Sequence, residues 1–255
     1  MKKVKVVSSV VLLLLLTLSG FVFAAGLSLD DIINKIQSNQ EKIKDMYAET
    51  NTTVVSSISI PGKSGTQNKG PQKMVQKGKM WSKGEDKTKV EIFSPNHQIS
   101  ITNGDKMAII NPDTGQEMIQ DLKKLDEKTG LPSPSKKMGL AEAKKYFNLS
   151  VSQAGATPNS YYIIQGTPKN KNGLLGKMDF YIDPVKWVPV KVYMYDTKNN
   201  LISQSEMSYQ NVAGIWVPQK NHSQIITPAG KMDVEINFSN IKVNSGINDR
   251  EFKIK

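Results

Sequence analysis

The amino-acid sequence predicts a β-dominated α+β fold: one large curved antiparallel sheet, an N-terminal helix and a short internal helix. Three observations predict it. Apolar residues recur at helical spacing from Ser28, the period drops to two from Tyr47 onward, and turn-forming residues punctuate the rest about every 8–14 residues.

The segment ahead of the helix, Met1 to Ala25, sets Lys2, Lys3 and Lys5 before an apolar stretch from Val6 to Leu18 and then Val22-Phe23-Ala24, the order of a secretory signal peptide. Its apolar core is about 13 residues, short of the ~20 that span a bilayer, and Ser8 and Ser9 dilute it. Cleavage is expected after Ala24, with Ala25 as the alternative, leaving residues 25–255 as a single domain. The chain has no Cys, which excludes disulfides, thiolate metal sites, a cysteine nucleophile and an N-terminal lipid anchor. The three lysines of the leader carry three of the +11 formal charge, leaving +8. Such a chain attracts anionic headgroups at long range, but its lysines are scattered along strands rather than gathered, which fits a solubilising surface. Nucleic acid is not an expected partner of an exported chain.

From Ser28 to about Met46, Leu29, Ile32, Ile33, Ile36, Ile43 and Met46 recur at steps of three and four, and Ser28 with Asp31 resembles a capping box. One long amphipathic helix is expected there. Strands are expected over 47–60, 72–82, 87–94, 97–103, 106–111, 116–122, 148–154, 160–167, 176–182, 187–196, 201–210, 214–226 and 231–243. Tight turns at Asn103-Gly104-Asp105, Asp113-Thr114-Gly115, Asn199-Asn200 and Pro228-Ala229-Gly230 make antiparallel hairpins the economical connection. Two segments break the rhythm. Ile60 to Gln72 reads as a polar loop, and Lys123 to Lys137 leads into a short helix near Met138 to Phe147, where Leu140, Ala143 and Phe147 share a face.

Alternation puts one apolar face on the sheet. Met178, Phe180 and Ile182 oppose Asp179 and Tyr181, and Met232, Val234, Ile236 and Phe238 oppose Asp233, Glu235 and Asn237. Ten or more strands at ~4.8 Å span ~50 Å, whereas two helices ~10 Å across cover ~20 Å. The sheet therefore curls and keeps an apolar hollow, the usual form of a small-molecule site. The expected lining is Met74, Met80, Ile92, Ile99, Ile101, Met107, Ile109, Met178, Phe180, Ile182, Val190, Val192, Met194, Met207, Met232, Val234, Ile236 and Phe238. Thioether side chains adapt to ligands of irregular shape, although core filling is their commoner work.

The order of these segments resembles the LolA-type outer-membrane lipoprotein carriers. The first half supplies Gly78-Lys79-Met80-Trp81-Ser82-Lys83, Pro95-Asn96-His97-Gln98, Asn103-Gly104-Asp105-Lys106 and Asn111-Pro112-Asp113. The second half supplies Met178-Asp179-Phe180-Tyr181-Ile182-Asp183-Pro184, Pro189-Val190-Lys191-Val192, Tyr209-Gln210-Asn211 and Trp216-Val217-Pro218. The resemblance implies a LolA-like half-barrel whose short internal helix, with Leu140, Ala143 and Phe147, is a lid. It further implies a monomeric periplasmic carrier of lipoprotein acyl chains or other lipids, served by an inner-membrane release transporter and an outer-membrane acceptor. One departure stands out: carriers of this type place an Arg after the Trp-x-Lys stretch to latch the lid, and here Gly84 follows Trp81-Ser82-Lys83. Lys83 is the substitute the sequence offers, without the guanidinium fork.

An enzyme is not expected. His97 and His222 are the two histidines, and Gly-x-Ser-x-Gly, His-Glu-x-x-His and phosphate-loop patterns are absent. Asp179 and Asp183 read as a surface acid and an Asp-Pro turn, and Asp113-Thr114-Gly115 as a turn rather than a calcium loop. No metal site and no cofactor are expected. The alternative within the same fold is an RseB-like periplasmic lipid sensor of envelope stress, a reading that calls for a second domain; a LolB-type acceptor conflicts with the absent Cys.

Overall fold

The structure is a computed structural model that describes residues 27–58, 71–123, 143–153, 160–170 and 173–254. The expected signal peptide, residues 60–70 of the expected polar loop and Leu140 lie outside the described residues. Among the described residues, no helix is long and apolar enough to cross a membrane.

Helix α1 runs Leu29–Gln40, with Ser28 as its cap. The Ser28 hydroxyl accepts from the Asp31 amide at 3.2 Å, and the Ser28 amide donates to the Asp31 carboxylate at 3.1 Å, so two amide donors are satisfied reciprocally. The Ser28 hydroxyl, which also donates to the Asp31 carboxylate at 2.6 Å, and after it the Ser28 amide hold Asp31 below the ordinary carboxylate range. The helix is shorter than the expected Ser28–Met46. Asp45 diverts the chain: its carboxylate accepts from the amides of Ser245 at 2.8 Å and Gly246 at 3.0 Å, while the Lys44 amide donates to Asn244 Oδ1 at 2.8 Å. These long-range bonds compete with helical ones. Ile43 and Met46 keep their apolar role in a separate core cluster with Ile215 and Val217.

Among the described residues thirteen strands follow: β1 Asp45–Ser56, β2 Gln72–Lys83, β3 Lys87–Ser94, β4 Gln98–Asn103, β5 Lys106–Asn111, β6 Gln116–Asp121, β7 Phe147–Gln153, β8 Tyr162–Pro168, β9 Leu175–Ile182, β10 Pro189–Asp196, β11 Leu201–Val212, β12 Ile215–Thr227 and β13 Gly230–Val243. They form one open, curved antiparallel sheet in the order β6-β5-β4-β3-β2-β1-β13-β12-β11-β10-β9-β8-β7. The chain builds outward from β1 to one edge, passes to the far edge, and returns until β13 pairs with β1 at the centre. Bulges where β1 meets β13 and where β11 meets β12 strengthen local twist. Gly78 marks another, where β2 meets β3: a Cβ there lies 2.4 Å from the Glu91 carbonyl oxygen, so only glycine permits the approach.

The register assigns each side chain to a face. Pairings Tyr162↔Ile182, Ile164↔Phe180 and Gly166↔Met178 put these residues on one face, and α1 packs Ile32 and Ile36 against Ile164 and Ile182 there. We call this the inner face. A second inner cluster joins Ala143 and Phe147 to Met178. Phe147 opens β7, where it pairs with Pro168, instead of closing the helix expected over Met138 to Phe147, of which residues 138–142 lie outside the described residues.

The outer face has its own small core. A 3-10 helix, Asp249–Phe252, packs on β3 and β4, and Phe252, Ile101 and Ala108 are all buried. Lys89 donates to Glu251 at 2.8 Å and Asn103 Nδ2 to the Phe252 carbonyl at 3.2 Å, tying the segment down.

Candidate functional site

Following the register across the sheet places nearly all of the expected lining on the inner face. From β9, Phe180↔Val192 and Met178↔Met194 carry it onto β10, while Val190 falls in a register irregularity between Pro189 and Lys191 and has no partner on β9. Val192↔Ser205 and Ser205↔Ser223 carry it through β11, with Met207, and β12. Ser223↔Val234, Asn221↔Ile236 and Ile225↔Met232 carry it to β13, and Phe238↔Thr50 to β1. Val54↔Met74 and Ala48↔Met80 reach β2, Gly78↔Ile92 and Met80↔Val90 reach β3, and Val90↔Ser100 followed by Ser100↔Ile109 and Thr102↔Met107 reach β5.

Ile99 and Ile101 are the two exceptions. They pair with Glu91 and Lys89 on one side and Ile110 and Ala108 on the other, all of the outer face, where the C-terminal 3-10 helix rather than a hollow takes up their apolar surface. Strand β4 simply carries apolar residues outward there, with Gln98, Ser100 and Thr102 turned inward.

The inner face is unevenly covered. Under α1, at β7–β9, Ile164 and Ile182 are fully buried. Away from it, Ile92, Met107, Ile109, Met207, Met232, Val234, Ile236 and Phe238 are only partly buried, and Met74 and Met118 are 41% and 48% exposed. The apolar face thus continues well past the helix that packs on it.

Sequence alternation did not reveal a polar stripe on the same face. Ser205 and Ser223 share a hydrogen bond of 2.7 Å, and Ser223 donates to Asn221 Oδ1 at 3.1 Å. Since Ser223 gives its proton to Asn221, Ser205 must donate to Ser223. The row lies between Val192 and Met194 on β10 and Val234 and Ile236 on β13. Thr50 and Thr52 form a comparable row on β1. Beside the stripe, Tyr209 donates its hydroxyl to the Pro189 carbonyl at 2.7 Å, and burial raises its pKa above the ordinary phenol value.

The titratable residues singled out in the sequence have structural partners. Asp179, buried on the outer face, accepts from Gln165 at 3.1 Å and meets Lys177 at 3.3 Å. Asp183 holds its turn through the amides of Val185 at 2.8 Å and Lys186 at 2.9 Å. Burial works to raise its pKa, but those two bonds and the Lys186 ammonium outweigh it and bring it below the ordinary value. His97 lies 3.1 Å from Glu91 and 3.6 Å from Asp113, and His222 lies 3.6 Å from Asp233, all without a nucleophile in the constellation. Asn111 Oδ1 accepts from the Asp113 and Thr114 amides, which makes that segment a turn. Lys83 faces outward and donates to the Ile247 carbonyl at 2.8 Å, with Asp249 at 3.2 Å. Both partners belong to the C-terminal segment. Among the described residues no cluster of His, Asp and Glu could hold a metal ion.

Surface cavities lie elsewhere among the described residues. One of about 670 Å³ is on the outer face beside Tyr47 and Trp81. Another, of about 350 Å³, is at the C-terminal end of α1 beside Trp187 and Trp216.

With the geometry described, comparison with known proteins is informative about fold. A family model described as "-like: Uncharacterized protein" matches residues 138–255. No curated protein matches the sequence. Among solved structures, a DUF1329 family protein from Desulfovibrio piger superposes with a TM-score of 0.63 at 14% identity, covering 89% of this chain and 97% of that one. A LolA superfamily protein from Nitrosomonas europaea gives 0.56 at 13% identity, covering 89% and 98%. A putative outer membrane lipoprotein-sorting protein domain from Vibrio parahaemolyticus gives 0.56 at 14% identity, covering 87% and 95%.

Proposed function

Because this chain adopts the LolA-like fold, we propose that it is an exported, non-enzymatic carrier. It holds acyl chains of lipoproteins, or of related lipids, against the inner face of its half-barrel. The observation that carries the proposal is the partly buried apolar field on β3, β5 and β13, formed by Ile92, Met107, Ile109, Val234, Ile236 and Phe238, which extends beyond the reach of α1. Partly exposed apolar residues of this number, set here in strips divided by the inward polar residues of β4 and β1, are kept on a surface only at a cost, and surfaces of this kind mark binding sites.

Acyl burial supplies the driving force at ~0.8 kcal/mol per methylene, enough for one long chain to offset much of what it loses on leaving a bilayer. The field is non-directional, which suits cargo defined by its lipid rather than by a peptide sequence. Structures that share this fold include one named as a putative outer membrane lipoprotein-sorting protein domain, in keeping with transfer between an inner-membrane release transporter and an outer-membrane acceptor. Residues 1–24 would act as the signal that delivers the chain to the periplasm, and residues 25–255 as one working unit.

The test is to express the chain with its leader in a Gram-negative host, purify it from the periplasm and analyse bound lipid by mass spectrometry, then titrate a fluorescent fatty-acyl probe. Co-purified acyl lipid and saturable probe binding are expected. A lipid-free preparation that ignores the probe defeats the proposal. Where the native host can be deleted for the gene, lipoproteins retained at the inner membrane support carriage, and altered stress signalling with normal sorting points to a sensor instead.

A further inference from the structure

Three separate elements meet at the C-terminal end of α1. The helix contributes Lys35, and Lys42 lies two residues past its end at Gln40. The β9–β10 turn contributes Val185, Lys186 and Trp187, and β12 contributes Trp216; together they border the 350 Å³ cavity.

The chemistry of this corner is cationic and interfacial. The Lys35 ammonium lies 4.8 Å from the centre of the Trp187 ring, and the Lys186 ammonium 5.3 Å from that of Trp216. Each indole therefore holds a positive charge at a fixed place. Trp187 is itself held by stacking on Tyr162, with centroids 5.6 Å apart and planes 21° from parallel. The acids nearby are engaged: Asp183 caps the turn and sits 3.4 Å from Lys186, and Glu41 accepts from Gln37 at 2.8 Å. Among the described residues, neither Lys35 nor Lys42 takes part in a salt bridge. Beside these charges, Val185 stands 77% exposed at the tip of the turn.

We propose that this corner docks the protein on an anionic bilayer surface, the lysines meeting lipid phosphates while Trp187, Trp216 and Val185 enter the headgroup region. Lysines attract the negative surface, and indoles favour the boundary where one edge is apolar and the other wet. The exposed Val185 decides between sources of phosphate. A dissolved anion gains nothing from an aliphatic side chain at the rim, whereas a bilayer does. The proposal is independent of whether the inner face holds acyl chains.

The test is co-sedimentation of the full mature chain with vesicles of phosphatidylcholine alone and of phosphatidylcholine with phosphatidylglycerol. Binding only to the anionic vesicles, weakened by salt, is expected. A lysine near such a surface contributes about fivefold in affinity, so Lys35→Gln with Lys42→Gln should lose roughly 30-fold. Lys106→Gln with Lys231→Gln, two exposed lysines on β5 and β13, changes the net charge equally and should lose far less. Val185→Asp should weaken binding further without altering the circular dichroism spectrum. Equal loss in both lysine pairs reduces the effect to overall charge and overturns the site. So does equal binding to neutral vesicles, unchanged binding of Val185→Asp, or inhibition by millimolar inorganic phosphate at constant ionic strength. Acyl-probe titration of the same variants in solution is expected to be unchanged, so failure of the docking surface and failure of the carrier proposal are read separately.

Discussion

Ile236→Asp is the substitution that most directly tests the inner face as an acyl site. Ile236 lies on that face at the centre of the sheet, paired with Thr52 and Asn221, and is only partly buried. Its loss should cost the free protein little, about 1 kcal/mol, as for substitutions outside a packed core. An acyl chain crossing one strand at ~4.8 Å spacing lays about four methylenes over it. Losing their contact at ~0.8 kcal/mol each removes about 3 kcal/mol, a little over 100-fold in affinity, and the carboxylate's reluctance to shed water adds to it. The assay is titration of a fluorescent fatty-acyl probe, with urea unfolding in parallel. Asn237→Asp introduces the same charge one residue along, on the outer face, and should bind as the wild type does. A folded Ile236→Asp protein with unchanged affinity, or equal losses in both variants, would refute the placement of the acyl chain.

The same charge placed under α1 should behave differently. Phe180 packs against the buried Ile164 and Ile182 cluster, so Phe180→Asp should cost about 3 kcal/mol or more in urea unfolding before any ligand is added, and a variant as stable as Ile236→Asp would contradict the division of the face. Asp183→Asn tests the turn that presents Lys186 and Trp187. The native pKa of Asp183 is lowered, so its stabilisation is complete above the unfolded value of about 3.8 and is lost as the pH falls through the native value. The urea midpoints of wild type and variant should therefore differ at neutral pH and converge below pH 3.8, and a gap of constant size would remove the charge from the explanation.

What the sequence shows and what it conceals follow from the range of the interactions. Each of the thirteen strands was legible, because period-two alternation and turn residues are local signals; β5 matches its expected span at 106–111, and β3 at 87–94. Helix α1 began where Ser28 and Asp31 said it would. Its end was hidden, because the bonds that divert Asp45 come from residues 244–246, two hundred positions away. Ile99 and Ile101 show a related limit. Alternation says that they share a face, but only pairing with Lys89 and Ala108 says which one. The lysines gathered around Trp187 and Trp216 are likewise scattered in sequence and adjacent in space.

The Ser205–Ser223–Asn221 row constrains what the inner face can take. Two strands at ~4.8 Å each make it about 10 Å wide, and, with Met207 and Ile225 beside it on the same strands, it lies between the apolar residues of β9 and β10 and those of β13, β3 and β5. A bare alkyl chain laid across it would cover hydroxyls without giving them a partner, which forfeits part of the gain from burial. A ligand with two acyl arms joined through esters can avoid that: one arm on either side, and carbonyl oxygens over the row. Within the row, Ser205 and Ser223 spend their protons on each other and on Asn221, which leaves the Asn221 amide as the donor. Replacing both serines by Val, close in size and without the hydroxyl, should therefore tighten binding of a simple fatty-acyl probe by severalfold and weaken a diacylglyceryl probe relative to it. Parallel gains for both probes would show that the row is only a seam between packed strands, and that cargo is chosen by apolar area alone.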